Sequence, residues 1–152
     1  MSLLSMFPFL PIYYKGKTKF TPIHVTDLTE IIFEIIKRNI TNQTIECIGP
    51  EVLSFKDIIL KLSISIDKKI LLIPLSPLFA KITTKILEKF PKPILTTDQL
   101  KLLKYDNIIS GKYKTNFDLG INSNKKFENE IAKYSFNWKK GGQFSKKISN
   151  NN

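Results

Sequence analysis

The strongest periodic signal begins at Asp27, after which Leu28, Ile31, Ile32, Ile35 and Ile36 recur at i, i+3, i+4, i+7 and i+8. That spacing predicts an amphipathic helix with one apolar stripe, suited to packing on a sheet. Asp27 and Glu30 have capping-box spacing and set the expected helix start at Asp27. A second helix is expected over Phe55–Ile64, opened by Ser54 with Asp57 and turning Ile58, Ile59 and Leu62 inward. A third starts at Ser76-Pro77, with Pro at the first helical position. Its apolar face runs from Leu78 and Phe79 to Phe90, Lys81, Lys85 and Lys89 repeat along another face, and Pro91 and Pro93 end it. A shorter helix capped by Thr96 or Thr97 runs through Leu100, Leu102 and Leu103, and Phe127, Ile131 and Tyr134 mark a last one.

Between the helices, three stretches have strand composition: Phe20–Val25, Thr44–Ile48 (stopped by Gly49-Pro50) and Lys69–Leu75. The opening Met1–Phe7 is expected to be the end of a helix broken at Pro8, and Phe117–Ile121 a loop or short turn. The order strand, helix, strand, helix, strand, then helices predicts an α/β layer architecture. Residues 1–138 form the expected folded unit, and 139–152 a frayed tail.

Composition narrows the function classes. The 152 residues are enough for one domain with its own core, and 42% of them are hydrophobic. The excess of 24 basic over 13 acidic residues, formally +11, raises a nucleic-acid or anionic-membrane reading. Arg38 is the only arginine, however, and lysine lacks the planar fork that reads guanine edges and clamps phosphate. Nucleic acid is therefore not the expected partner. The Lys81/Lys85/Lys89 face could meet anionic lipid, against the plainer reading of a solvated face. Cys47 is the single cysteine, so no internal disulfide forms, which fits a reducing cytoplasm. No apolar run is long enough to span a bilayer. Pro8 and Pro11 interrupt the apolar Leu3–Tyr14 stretch, and no basic segment precedes it, which argues against a signal peptide.

A search for chemistry finds little. The glycines stand at 16, 49, 111, 120, 141 and 142, and none has the spacing of a phosphate-cradling turn. Tyr13 and Lys17 are four apart, as in a dehydrogenase pair, but Gly16 makes that stretch a loop and denies them a shared helix face. His24 is the only histidine and has no metal-ligating neighbour in sequence. No catalytic residue and no metal site is expected.

Several segments nevertheless resemble one family, in collinear order. The stretch from Phe20 to Ile32 resembles the late strand and helix of extended and atypical short-chain dehydrogenases, the NAD-dependent epimerase/dehydratase group. The stretch from Thr44 to Asp57 is similar to the segment that follows in that family. Pro91–Leu100, Leu103–Asn107 and Gly141–Phe144 resemble the C-terminal region of the atypical branch related to the nucleotide-binding accessory subunit of respiratory complex I. The likeness runs from Phe9 to Phe144.

That resemblance implies a partial, Rossmann-like C-terminal portion with few strands and several packing helices. In the family the N-terminal half carries the phosphate turn and any active-site Tyr/Lys pair. The expectation is therefore a C-terminal fragment, a split gene product or a decayed homologue, not catalytic alone. Its partner would be the missing Rossmann half or subunits of complex I, in the cytoplasm or peripherally at the inner membrane. The cofactor implied is NADP(H) or NAD(H), not held by this chain alone. His24, Val25 and Asp27 stand where the family places the nicotinamide end of the cleft, and they are the implied cofactor-binding residues. Two rival readings remain: half of a split NAD(P)-dependent epimerase or reductase, and a basic module binding nucleic acid or a membrane surface.

Overall fold

The structure is a computed structural model and describes residues 1–75 and 97–144. In chain order the elements are α1 (Ser2–Met6), β1 (Phe9–Ile12), a 3-10 turn (Tyr13–Gly16), β2 (Lys19–Phe20), α2 (Val25–Lys37), β3 (Ile45–Glu46) and β4 (Leu53–Ser54). Next come α3 (Phe55–Ser65), β5 (Leu71–Pro74), α4 (Thr97–Leu102), β6 (Lys114–Thr115), α5 (Phe127–Ala132) and a 3-10 turn (Ser135–Trp138). The class is mixed α/β with parallel strands. The expected helix from Ser76-Pro77, with its Lys81/Lys85/Lys89 face and its end at Pro91 and Pro93, lies outside the described residues. So do Thr96 and residues 145–152.

Two helix starts show how local chemistry sets these elements. At α3 the expected box forms: Ser54 Oγ accepts from the Asp57 N–H at 3.1 Å, and the Asp57 carboxylate accepts from the Ser54 N–H at 3.1 Å. The Ser54 hydroxyl, which donates to the Asp57 carboxylate at 2.5 Å, and the Ser54 N–H hold that carboxyl below its ordinary range. At α2 the start differs from expectation. The N-cap is His24, whose Nδ1 accepts from the Thr26 N–H at 3.3 Å, and Asp27 sits inside the first turn. The cap thus lies three residues earlier than the Asp27/Glu30 spacing predicted, and the expected strand over Phe20–Val25 contracts to Lys19–Phe20.

The strands pair in twos. β2 and β4 are antiparallel, while β1–β5 and β3–β6 are parallel. In the β1–β5 pair Leu71 N–H donates to Pro8 C=O and Leu75 N–H to Ile12 C=O, both at 3.0 Å. Residues 8, 10 and 12 therefore turn their backbone polar groups toward β5, and Pro11 turns its own outward. By the same alternation Pro74, in register with Ile12, faces outward on β5. Each outer edge thus carries a residue with no N–H to offer another strand.

Helix α3 packs on the inner face of this pair. Leu4, Ile59 and Ile66 are buried together, with Leu10, Phe55, Leu62, Leu72 and Trp138 against them. A second cluster joins Tyr13 and Leu100 to Leu75 and Leu103. The 3-10 turn that holds Tyr13 has left-handed backbone at Tyr14 and Lys15, so Tyr13 and Lys17 share no helix face.

A buried polar latch ties β3 to the 116–123 loop. Asn116 Oδ1 accepts from Ile48 N–H at 2.8 Å, its Nδ2 donates to Ile121 C=O at 2.9 Å, and Ser123 Oγ donates to Ile48 C=O at 2.8 Å. Gly49, beside the latch, lies so close to the Pro22 carbonyl that a Cβ there would sit 1.8 Å from its oxygen. The 22–24 segment is thereby pressed against β3 and aimed at the start of α2.

Candidate functional site

The extended 21–24 segment delivers His24 to the mouth of a cleft of ≈ 170 Å³ between the N-terminus of α2 and α5. Pro22, His24, Lys125, Phe127, Glu130 and Tyr134 line it. Because His24 Nδ1 accepts from Thr26, the neutral ring carries its proton on Nε2. That nitrogen faces Glu130 Oε2 at 3.6 Å. Both Glu130 carboxylate oxygens also accept from Lys133 Nζ at 2.7 Å. The His24 imidazole, the Glu130 carboxylate, the Lys125 side chain (its Nζ held on Asp27) and Tyr134 thus line one small space. Proton transfer to or from a bound polar group is within the chemistry of such a set.

Behind the cleft lies Asp27, only 2% exposed. Its carboxylate accepts from Asn124 N–H at 3.0 Å, from Lys125 N–H at 2.9 Å and from Lys125 Nζ at 2.9 Å. Burial pushes the Asp27 carboxyl up, but the Lys125 N–H and ammonium, with the Asn124 N–H, outweigh it and hold the group below its ordinary value. The hydrogen bond to Asp27 raises Lys125 in turn. The pair fixes the 124–125 loop, and through it the approach of α5 to His24.

The three residues implied by the family resemblance are thus separated. His24 lines the cleft. Asp27 supports it from behind without facing it. Val25 is 65% exposed on the outer side of α2 and does not line the cleft. Lys125, Glu130 and Tyr134, which sequence reasoning did not select, complete the cleft wall. Their only sequence signal was the apolar Phe127/Ile131 spacing of the last helix, which does not say that α5 docks beside His24.

The cleft admits a single ring-sized group and is well below the roughly 300 Å³ at which ligand pockets for larger molecules begin. It does not by itself fit a dinucleotide. A second cavity of ≈ 250 Å³, lined by Leu3, Leu4, Leu10, Phe55, Ile59 and Leu62, is apolar and continuous with the core. Among the described residues no group of three or more His, Cys, Asp or Glu side chains converges as a metal ion requires. Cys47 is half-buried, and burial pushes its thiol pKa up, away from a reactive thiolate. Among the described residues no helix is long and apolar enough to cross a membrane. No protein-family model matches the chain, and no curated protein matches it.

Proposed function

We propose that the chain is a non-catalytic, C-terminal Rossmann-like portion of an NAD(P)-binding short-chain dehydrogenase-like protein, linked to the assembly or stability of respiratory complex I. In this reading it completes a dinucleotide site instead of containing one. The observation that carries it is the relation of the His24 cleft to the outer face of α2. The cleft has room for one ring, and beside it α2 leaves a second apolar stripe exposed. Leu28, Ile31 and Ile35 pack inward, while Val25, Ile32, Phe33 and Ile36 face out. A helix apolar on two sides belongs between layers, with another unit on its far side. That unit would bring the phosphate-binding turn and leave the nicotinamide end at His24.

The test is titration calorimetry of the pure chain with NADPH, for which no saturable binding is expected. A micromolar dissociation constant overturns the reading.

A second reading, half of an NAD(P)-dependent epimerase or reductase completed in trans, is favoured by the convergence of His24, Glu130, Lys125 and Tyr134. It requires that a reading frame beside this one encode a strand, a glycine-rich turn and a helix. It also requires that Tyr134→Phe or His24→Gln abolish turnover by the co-expressed assembly. Turnover unchanged in both variants removes it.

A further inference from the structure

The β1–β5 pair is apolar on both faces, and among the described residues it is covered on one. Leu10, Ile12 and Leu72 meet the core, while Phe9, Leu71 and Ile73 stand on the outer face, with Leu71 67% exposed. Parallel strands are ordinarily covered on both sides. The apolar surface continues beyond the strands: the Phe7 and Phe9 rings lie 6.5 Å apart, and Met6, which precedes Phe7 at the end of α1, is exposed.

One end of this surface is bordered by cations. Lys68 and Lys69 are exposed at the entry to β5. Lys69 lies two residues before Leu71, where the paired register begins. Trp138 Nε1 donates to Ser2 Oγ at the start of α1, and Lys140, two residues on, is exposed. Asp67 in this neighbourhood is offset by Lys139 at 3.0 Å.

The charge pattern decides what such a face fits. Protein interfaces are depleted in lysine, whereas a bilayer surface with anionic headgroups draws lysine to the rim and takes Phe, Leu and Ile into the acyl boundary. The formal charge of +11 favours the same surface. Pro11 and Pro74 each remove a donor from an outer edge, which disfavours an added strand and favours contact with the face.

We propose that the outer face of β1–β5, together with the tip of α1, seats the protein on an anionic phospholipid bilayer. This surface is distinct from the Lys81/Lys85/Lys89 stripe, and it stands independently of the dehydrogenase reading.

The experiment is co-sedimentation of the full chain with phosphatidylcholine vesicles, with and without about a third phosphatidylserine. Binding is expected only with phosphatidylserine and falls as salt is added. Phe9→Ser with Leu71→Ser lowers partitioning by about tenfold or more. Lys68→Glu with Lys69→Glu lowers it by about tenfold at low salt. Phe33→Ser with Ile36→Ser, a matched apolar loss on α2, leaves it unchanged, and circular dichroism verifies that each variant is folded. No binding to phosphatidylserine vesicles at low salt overturns the proposal, as does equal loss in the α2 variant. A Phe9/Leu71 variant that abolishes self-association in light scattering while the parent ignores vesicles assigns the face to a second copy instead.

Discussion

Asp27 shows at the scale of one residue how a correct pattern can carry the wrong role. An acidic residue before an apolar run, with Glu30 three residues on, reads as a helix cap. The cap is supplied instead by His24, an uncommon choice that the preference for Ser, Thr, Asp and Asn conceals. Asp27 turns inward, and its three bonds are made to residues 124 and 125, a long-range partnership that local spacing cannot encode. Asn116 and Ser123 were invisible for the same reason: a buried polar side chain is recognised only by the backbone groups it satisfies. Asp27→Asn keeps the shape but replaces the carboxylate by an amide, one half of which is a donor facing donors. It is expected to destabilise the fold by about 2–4 kcal/mol in urea titrations at neutral pH. Because the Asp27 pKa is lowered on folding, its charge-linked stability is fully present above the ordinary carboxylate value of about 4 and is lost as pH falls through the folded value. The deficit of Asp27→Asn relative to the parent should therefore shrink below about pH 4. A deficit unchanged between neutral and acid pH would show that the carboxylate charge contributes nothing.

Among the elements, α2 and α3 were legible from their apolar periods, and β5 from the apolar run Ile70–Ile73. The Ser54/Asp57 box placed the start of α3 at Phe55, its expected end at Ile64 falls one residue short of Ser65, and Phe117–Ile121 is the expected turn, closed by Gly120 N–H on Phe117 C=O at 2.9 Å. β1 was missed because Pro8 and Pro11 interrupt the apolar Leu3–Tyr14 stretch in which it lies. The pairing explains why they do not prevent a strand: Pro8 contributes only its carbonyl, and Pro11 falls where the missing N–H would have pointed outward. β6 was missed because two residues have no period to read. The expected single sheet is also absent among the described residues, where strands pair only in twos. The prolines supply a physical reason on the β1–β5 pair, since each blocks further growth at its edge. Restoring the donors with Pro11→Thr and Pro74→Thr together is then expected to produce concentration-dependent self-association in light scattering, with little change in the far-ultraviolet circular dichroism. A double variant as monodisperse as the parent across the same concentrations would remove the edge-blocking role.

For the whole molecule, the question is whether the surplus of lysine stabilises or strains the fold. Several ion pairs are exposed and local, among them Lys37–Glu34, Lys101–Asp98 and Lys133–Glu130. Such pairs contribute about 0–1 kcal/mol each and lose part of that in salt. The buried Lys125–Asp27 pair is screened much less. Against these local terms stands a formal charge of +11 on 152 residues, whose mutual repulsion acts over the whole surface and is relieved when the chain expands. Repulsion spread over many cations falls with every shortening of the Debye length, whereas the attractive contacts are already close and lose less. Added sodium chloride should therefore stabilise the protein. Raising it from about 0.01 M to about 0.15 M shortens the screening length from about 30 Å to about 8 Å and is expected to raise Tm by about 2–5 °C in differential scanning calorimetry. Potassium chloride should act alike, since general screening does not distinguish the two cations. A Tm that falls with either salt would mean that the exposed pairs outweigh the surplus, and a rise with only one would mean specific ion binding.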